Sequence, residues 1–493
     1  MMEHIYGVDI DEQAVEVTKL SLHLKVLEGE TAETLNGQLR FIAEPALPNL
    51  GKNIRCGNSL IGPDFYRQYD IGLFSDDEIR RINVFDWYDD EKGFGEIMRE
   101  GGFDAVIGNP PYVNVFNIEK NEREYYKKSY YTCTNKSDKY AFFIEIVINK
   151  LLSKNGYFSF IVSNSWLTIQ SFRNLRKLML ENTSIESLAL TPKSTFIDAV
   201  VETIIFSLKK KYADKSHLIN YRECNENNNF VDIKKIPQDS FFKSINYVFN
   251  LNYTRELFYL IDKINDKGIK LELLAYFSLG IKSANNNKFI KDNKINENCF
   301  PVVSGKEIKR YYIDYKGKFI WYEPKEMKKR KGAGPRNKST FLKEEKIFVR
   351  EISRGKIISC IDNSKYFALD TVNVIIPKEE ISSLYIIGLL NSKLLNFWYG
   401  FHFSGLHVKL NQIRLLPIRT IDFNNPSDVK MHDEMVRLVE RMMDLKRRYH
   451  ETDDEHLRTQ LDHAINATDS AIDALVYRLY GLTDEEIRIV EGG

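Results

Sequence analysis

Short apolar runs alternate with stretches of helical periodicity along the first part of the chain, a pattern that predicts a largely parallel sheet flanked by helices. Ile5 to Ile10 reads as a strand. Asp11 follows as a helix cap, and Ala14, Val17, Leu20, Leu24 and Leu27 recur behind it at helical spacing. Phe103 to Ile107 reads as a second, buried strand. Tyr140 to Leu152 has the pattern of an amphipathic helix ended by Gly156, with strands expected at Tyr157 to Val162 and Thr203 to Leu208.

Past Lys211 the pattern changes to polar, Asn-rich stretches, at 225–229 and 285–287, separated by short β-like runs. From about residue 426 it becomes helical and charged, with Met435, Leu438, Met442 and Leu445 on one face. A second helix runs through Ala471, Leu475 and Leu479; Gly481 closes it, and Thr483 with Glu486 has the form of a capping box. The expected organisation is therefore an α/β region over 1–215, a mixed α/β region over 216–425 and a helical segment over 426–493. A chain of 493 residues is long enough for two or three such units.

The composition, 43% hydrophobic and 28% charged, excludes a disordered chain. Lysine plus arginine total 70 against 69 acidic residues, so the global charge selects no partner and only local clusters can. Five scattered cysteines without CxxC spacing indicate neither a disulfide framework nor a zinc cage, and no metal is expected. The N-terminus is acidic and mixed, and no segment approaches the roughly 18 apolar residues that span a bilayer, so no membrane partner and a cytoplasmic location are expected.

The chemistry concentrates in Phe103-Asp-Ala-Val-Ile-Gly-Asn-Pro-Pro-Tyr-Val113. Ligands of open α/β sheets bind just beyond the carboxyl ends of strands, which is where Asn109, Pro110, Pro111 and Tyr112 fall. The prolines lack N–H groups and have fixed φ, so they end the strand ladder and leave nearby carbonyls free to accept. As a bare tetrapeptide, Asn-Pro-Pro-Tyr could equally be a turn that closes a strand.

This segment looks like the catalytic motif of amino-methyltransferases, and the surrounding order resembles the gamma group of adenine-specific DNA methyltransferases, of the type IIG restriction-modification and TaqI-like kind. The resemblance extends over nearly the whole chain. It implies a Rossmann-like methyltransferase sheet, a mixed α/β target-recognition domain and a C-terminal helical segment, with S-adenosylmethionine as cofactor and double-stranded DNA as partner. An exocyclic amine is a poor nucleophile because its lone pair is delocalised into the ring. The Asn109 side-chain oxygen and the Pro110 carbonyl would favour its tetrahedral form by accepting its hydrogens. Tyr112 would stack on the flipped base.

Tyr6-Gly-Val-Asp-Ile-Asp11 resembles the second-strand motif, which assigns Asp9 to the ribose hydroxyls of the cofactor, with Ile10 beside it; Asp11 alone fits a helix cap. Cys56-Gly-Asn-Ser-Leu-Ile61 resembles the next motif and assigns Asn58 and Ser59 to the cofactor's adenine, where relatives often carry Asp; a Gly-Asn-Ser turn is the plainer alternative. Ser137-Asp-Lys-Tyr-Ala-Phe142 reads mostly as core. Phe196-Ile-Asp-Ala-Val-Val-Glu-Thr203 resembles the motif whose aromatic packs on the flipped adenine, making Phe196 a second stacking candidate.

Members of the family begin with a strand and a glycine-rich loop that this sequence does not show, so the methyltransferase sheet is expected to be N-terminally incomplete. A separately encoded N-terminal methyltransferase or nuclease polypeptide is the expected partner. Gly332-Ala-Gly334 sits in a basic loop without a preceding strand, and Glu344-Glu-Lys346 is the best nuclease-like triplet in a charged stretch where such triplets are common.

Between Lys325 and Lys356 twelve basic residues stand against four acidic ones, a net of +8 that suits phosphate contact, though a solvated loop would read the same way. Lys328, Lys329, Arg330, Arg336 and Arg354 are the candidates there, with His407 and Lys409 from the stretch Asn391 to Pro417. His402 and His407 lack a third ligand nearby. Two competing readings remain: a catalytically silent DNA-binding or specificity fragment, and a protein-glutamine methyltransferase, whose members share NPPY but are compact.

Overall fold

In the computed structural model the described residues are 4–28 and 49–492, apart from 70, 135, 193–194, 196–201, 226–228, 253, 330 and 404. They form two compact units, Met1–Leu251 and Asn252–Gly493. The division expected at 215/216 is not where compactness places it, because two further strands carry the first sheet on to residue 237. The helical segment is not separate either. Its helices Pro426–Glu451 and Glu455–Tyr480 pack within the second unit, where Arg310 forks onto Asp469 and Gly388 meets Met435.

Among the described residues the first unit holds two sheets. One is a parallel pair, β1 (Gly7–Asp9) with β2 (Ile54–Cys56). Helix α1 (Glu12–Leu27) follows β1, and Asp11 caps it as expected by accepting from the Gln13 amide at 2.8 Å. The other is a mixed six-stranded sheet, in which β3 (Phe103–Gly108), β4 (Leu152–Ser163), β5 (Ser184–Leu190), β6 (Thr203–Lys209), β7 (Leu218–Cys224) and β8 (Phe230–Pro237) lie in the order β3-β4-β6-β5-β7-β8. β3 and β4 are parallel, while β6 is antiparallel to both β4 and β5. One face of this sheet is a buried core of Phe158, Phe160, Val162, Phe206 and Leu208.

Two local expectations change. β3 forms, but not as a buried strand: it pairs only with β4 among the described residues, and Ala105 and Ile107 face solvent. The helix expected over Tyr140 to Leu152 ends before Gly156. It runs from Lys139 to Ile146, continues as a wider turn to Leu151, and the strand begins at Leu152. Gly156 lies inside that strand, where a Cβ would stand 3.0 Å from the Asp104 carbonyl.

The second unit is built on the antiparallel sheet Ala275–Leu279, Val372–Pro377, Lys346–Arg350, Ser359–Asp362. Phe348, Val372 and Val374 are buried in one core with Phe367 and Phe341. The basic stretch is therefore not one solvated loop: it contributes a central strand, and Lys346 is fully buried against Asp362 at 2.5 Å. That pairing removes Lys346 from the nuclease-like triplet. The apolar stretch expected from Asn391 on folds as Ser383–Asn391 and Lys393–His402, with Leu394, Leu395 and Trp398 buried as core. Gly481 ends its helix in the left-handed conformation, and the Thr483–Glu486 capping box forms. No helix among the described residues is long and apolar enough to cross a membrane.

Candidate functional site

Gly108 ends β3 with its α-carbon against the Phe160 ring; a Cβ there would lie 2.8 Å from Phe160 Cε1, so the close approach requires glycine. Asn109 and Pro111 are exposed, Pro110 is buried and Tyr112 is half-buried. Neither the Asn109 carboxamide nor the Pro110 carbonyl is held by a hydrogen bond among the described residues, which leaves two acceptors for a ligand. Tyr112 donates its hydroxyl to the Ile161 carbonyl at 3.1 Å and sets its ring edge-on to Tyr140, 6.1 Å between centroids. Burial raises the Tyr112 phenol pKa, so the group stays a donor.

The loop is anchored beyond Tyr112. Lys139 N–H donates to the Val113 carbonyl at 2.9 Å, Val115 N–H to the Ser137 carbonyl at 3.0 Å, and Asn114 Nδ2 to Asp138 Oδ1 at 3.0 Å. Tyr140 stacks on Phe172, 5.4 Å away and 13° from parallel, and its hydroxyl lies 3.2 Å from Ser165 Oγ. Under this layer Arg176 is buried with no carboxylate partner among the described residues. Its guanidinium donates to the Trp166 carbonyl at 2.5 Å, Ile169 at 2.8 Å and Asn246 at 3.1 Å, and burial brings its pKa down to about 9.

Asp9 ends β1 with an exposed carboxylate that accepts from Asp11 N–H at 2.9 Å. Ile10 beside it is exposed. Asn58 sits at the matching end of β2, but buried: its Oδ1 accepts from Leu60 N–H at 3.1 Å, so the side chain closes the Gly-Asn-Ser turn. The half-buried Ser59 uses its carbonyl to accept from Trp87 Nε1 at 3.1 Å. The parallel pairing of β1 with β2 brings these four residues to one end.

Sequence reasoning missed the residue that ties the two strand ends together. Asn83, left-handed at φ 45°, caps the helix Asp76–Ile82 and donates to the Ile10 carbonyl at 3.3 Å and to Cys56 Sγ at 3.4 Å. An asparagine closing a short charged helix was the available signal. The helix Lys120–Ser129, which follows the Asn109–Tyr112 loop, lies against the Asn58 turn. Tyr125 accepts from Gly62 N–H and donates to Asp64, Tyr130 donates to the Leu60 carbonyl at 2.7 Å, and the Tyr126 phenol lies beside Asn58. Phe196 lies outside the described residues.

In the second unit the segments 351–356 and 405–409 come together. Leu406 O accepts from the amides of Ser353 and Arg354, each at 3.1 Å, and Val408 N–H donates to the Glu351 carbonyl at 2.6 Å. Arg354, His407 and Lys409 thus share one exposed edge, where His407 Nδ1 lies 3.3 Å from Glu351 Oε1. Lys328 and Lys329 are exposed at the end of the helix Pro324–Lys328, Lys329 paired with Glu326 at 2.6 Å. Arg336 is half-buried and donates from Nε to the Gly280 carbonyl at 3.4 Å, while Arg330 lies outside the described residues. His402 is buried among Trp398, Phe401 and Phe403, apart from any polar partner, and no cluster that could hold a metal occurs among the described residues.

Comparison with known proteins finds matches to two families. Residues 3–196 match the family described as Eco57I restriction-modification methylase, and residues 300–418 match the TaqI-like C-terminal specificity domain. Two separate stretches of the chain are thus similar to a restriction-modification methylase and to a specificity domain. A Methanocaldococcus jannaschii protein named as a type II restriction enzyme and methyltransferase is 24% identical over 622 aligned positions, covering 97% of this chain and 48% of its own length. The Escherichia coli type II restriction enzyme and methyltransferase RM.Eco57I is 33% identical over 215 positions, 43% of this chain and 19% of its own. The adenine-specific methyltransferase BrxX of Escherichia coli O9:H4 strain HS is 23% identical over 342 positions, 64% of this chain and 28% of its own. The chain spans about half or less of the length of each of these relatives.

Proposed function

We propose that the chain methylates the exocyclic N6 amine of adenine in duplex DNA, using S-adenosylmethionine, within a restriction-modification or phage-defence system of the cytoplasm. The observation that carries this reading is the loop at the end of β3, where the Asn109 carboxamide oxygen and the Pro110 carbonyl are free while the Tyr112 ring is fixed at one edge. Two acceptors and a flat face suit a planar amine turned out of the helix. Asn109 and Pro110 would each accept one N–H of that amine, directing its lone pair outward as the nitrogen–carbon bond forms. One of those protons is then released to solvent. Pro111 keeps the loop rigid, and Tyr112, with Phe196, would hold the base by stacking.

The exposed carboxylate of Asp9 suits a vicinal diol, and Ile10, Asn58 and Ser59 share its strand end, so these residues would hold the cofactor. When bound, S-adenosylmethionine supplies a methyl group activated on a positive sulfur. Lys328, Lys329, Arg330, Arg336, Arg354, His407 and Lys409 would contact DNA, and a separately encoded polypeptide would complete the enzyme.

The test is transfer of labelled methyl from S-adenosylmethionine to plasmid DNA, with and without an added N-terminal fragment from a relative, with Asn109→Ala as control. Label in DNA that is lost in the variant is expected. No label under either condition would instead indicate a silent specificity fragment, and label in protein but not DNA a glutamine methyltransferase.

A further inference from the structure

Burying a guanidinium without a counter-charge is costly, and an apolar side chain of similar volume often packs as well or better. Arg176 is nonetheless fully buried on the helix Arg173–Asn182, and no carboxylate pairs with it among the described residues. Its Nη2 has no hydrogen-bond partner there either. What the guanidinium does is gather three carbonyls from two segments. Trp166 and Ile169 lie in the stretch after β4, and Asn246 lies 70 positions beyond Arg176.

The Ile169 carbonyl accepts at once from Arg176 Nη1 at 2.8 Å and from the Phe172 amide at 3.1 Å, so the guanidinium fixes the turn that carries the Phe172 ring. That ring lies 13° from parallel on Tyr140, and Tyr140 meets Tyr112 edge-on. Three rings thus run in series from Arg176 to the loop at the end of β3. The hydrogen bond to Ile161 fixes the Tyr112 hydroxyl, and the contact with Tyr140 sets the tilt of the ring about it. The other side of the clamp is held firmly too. Asn246 and Tyr247 are both left-handed at φ 58°, a conformation costly for residues other than glycine. Arg173 lies over the Tyr247 ring at 5.2 Å, and Phe249 N–H donates to the Leu167 carbonyl at 2.9 Å.

We infer that Arg176 is a positioning residue for the reaction: by holding the stretch from Trp166 to Phe172 it sets the Phe172 and Tyr140 rings, and through them the face that Tyr112 offers the target base. The inference rests on the proposed function only in giving Tyr112 a base to stack on; the ring series does not depend on it. A role in folding alone would not need three directed donors and would not be transmitted to Tyr112.

The experiment compares the whole chain with Arg176→Met, which loses the donors, and Arg176→Lys, which keeps the charge but loses the fork. The chain is labelled with fluorotyrosine, and the Tyr112 signal is assigned by its loss in Tyr112→Phe. Fluorine NMR should show that signal shifted or broadened in Arg176→Met, and less so in Arg176→Lys. Should Arg176→Met not fold, Phe172→Leu, which cuts the series in the middle and leaves the guanidinium in place, should move the same signal. In a preparation that transfers methyl groups to DNA, kcat should fall by about 10- to 100-fold in Arg176→Met, as for a slightly misplaced reactant, with KM for S-adenosylmethionine unchanged. In a Tyr112→Ala background the same substitution should cost less than about threefold, because residues that act through one another are not additive. A Tyr112 signal unmoved in folded Arg176→Met or Phe172→Leu, or an equal fall in kcat in both backgrounds, would overturn the inference. A signal that moves as described in a chain that transfers no methyl group to DNA in any preparation supports the route from Arg176 to Tyr112 and counts against the proposed function instead.

Discussion

Single residues separate chemistry from support. Asn109 is exposed and its side chain makes no hydrogen bond among the described residues, so Asn109→Ala should leave the Tm unchanged while methyl transfer, in whichever preparation supports it, falls by about 100- to 1000-fold through loss of one preorganised group. Tyr112 splits into two functions. Tyr112→Phe removes the hydrogen bond to Ile161, costing about 1 kcal/mol, and keeps the stacking face; Tyr112→Ala should remove a further 1 to 3 kcal/mol, roughly, of base binding. His402 is support of another kind. Both ring nitrogens lack hydrogen-bond partners among the described residues, and burial among aromatic rings pushes its pKa down to about 3. The unfolded chain therefore takes up a proton near the ordinary value of 6.5, well before the folded chain does. The stability this side chain allows is complete above pH 6.5 and is lost as the pH falls from there towards 3, by up to about 1.4 kcal/mol per pH unit. Denaturant melts of the chain and of His402→Leu at pH 7 and pH 5 should diverge, the variant losing less on acidification. Equal losses would mean that His402 is not buried neutral.

At the scale of elements, packing decides which motif residues can vary. Gly108→Ala drives a methyl group into the Phe160 ring, which is itself wedged edge-on against Phe158 at 4.4 Å. Overpacking there should cost about 1 to 3 kcal/mol, visible as a lower denaturant midpoint. Legibility in the sequence followed periodicity and local chemistry. The Asp11 cap, the Gly481 stop and the Thr483–Glu486 box depend on residues a few positions apart, and all of them form. Pairing is non-local, which is why Phe103–Ile107 looked like an interior strand: its apolar composition is that of a buried strand, but nothing local says which neighbours it has. The same holds for Lys346, which reads as part of a basic loop and is instead a strand residue neutralised by Asp362, distant in sequence. Asn58 was legible as a turn and Asp9 as a strand end, whereas Asn83, which joins them, is visible only once the helix before it has been placed.

For the whole molecule, the near-balance of charge gives no bulk attraction to a polyanion, so the proposed binding of DNA would need a local basic surface, for which the second unit offers a candidate. The net of +8 over Lys325–Lys356 overstates that surface: Lys346 is buried in an ion pair and Lys329 is held by Glu326. The edge carrying Arg354, His407 and Lys409 is the better candidate, because backbone bonds from Leu406 fix it rather than side-chain pairing. Each phosphate contact releases condensed counterions, so the slope of log affinity against log salt counts contacts. Arg354→Ala should therefore weaken binding to unrelated duplexes alike and make that slope shallower by about one, measured by fluorescence anisotropy over a salt series. Lys329→Ala should change the slope less. If Arg354→Ala leaves the slope untouched, DNA is not bound along this edge.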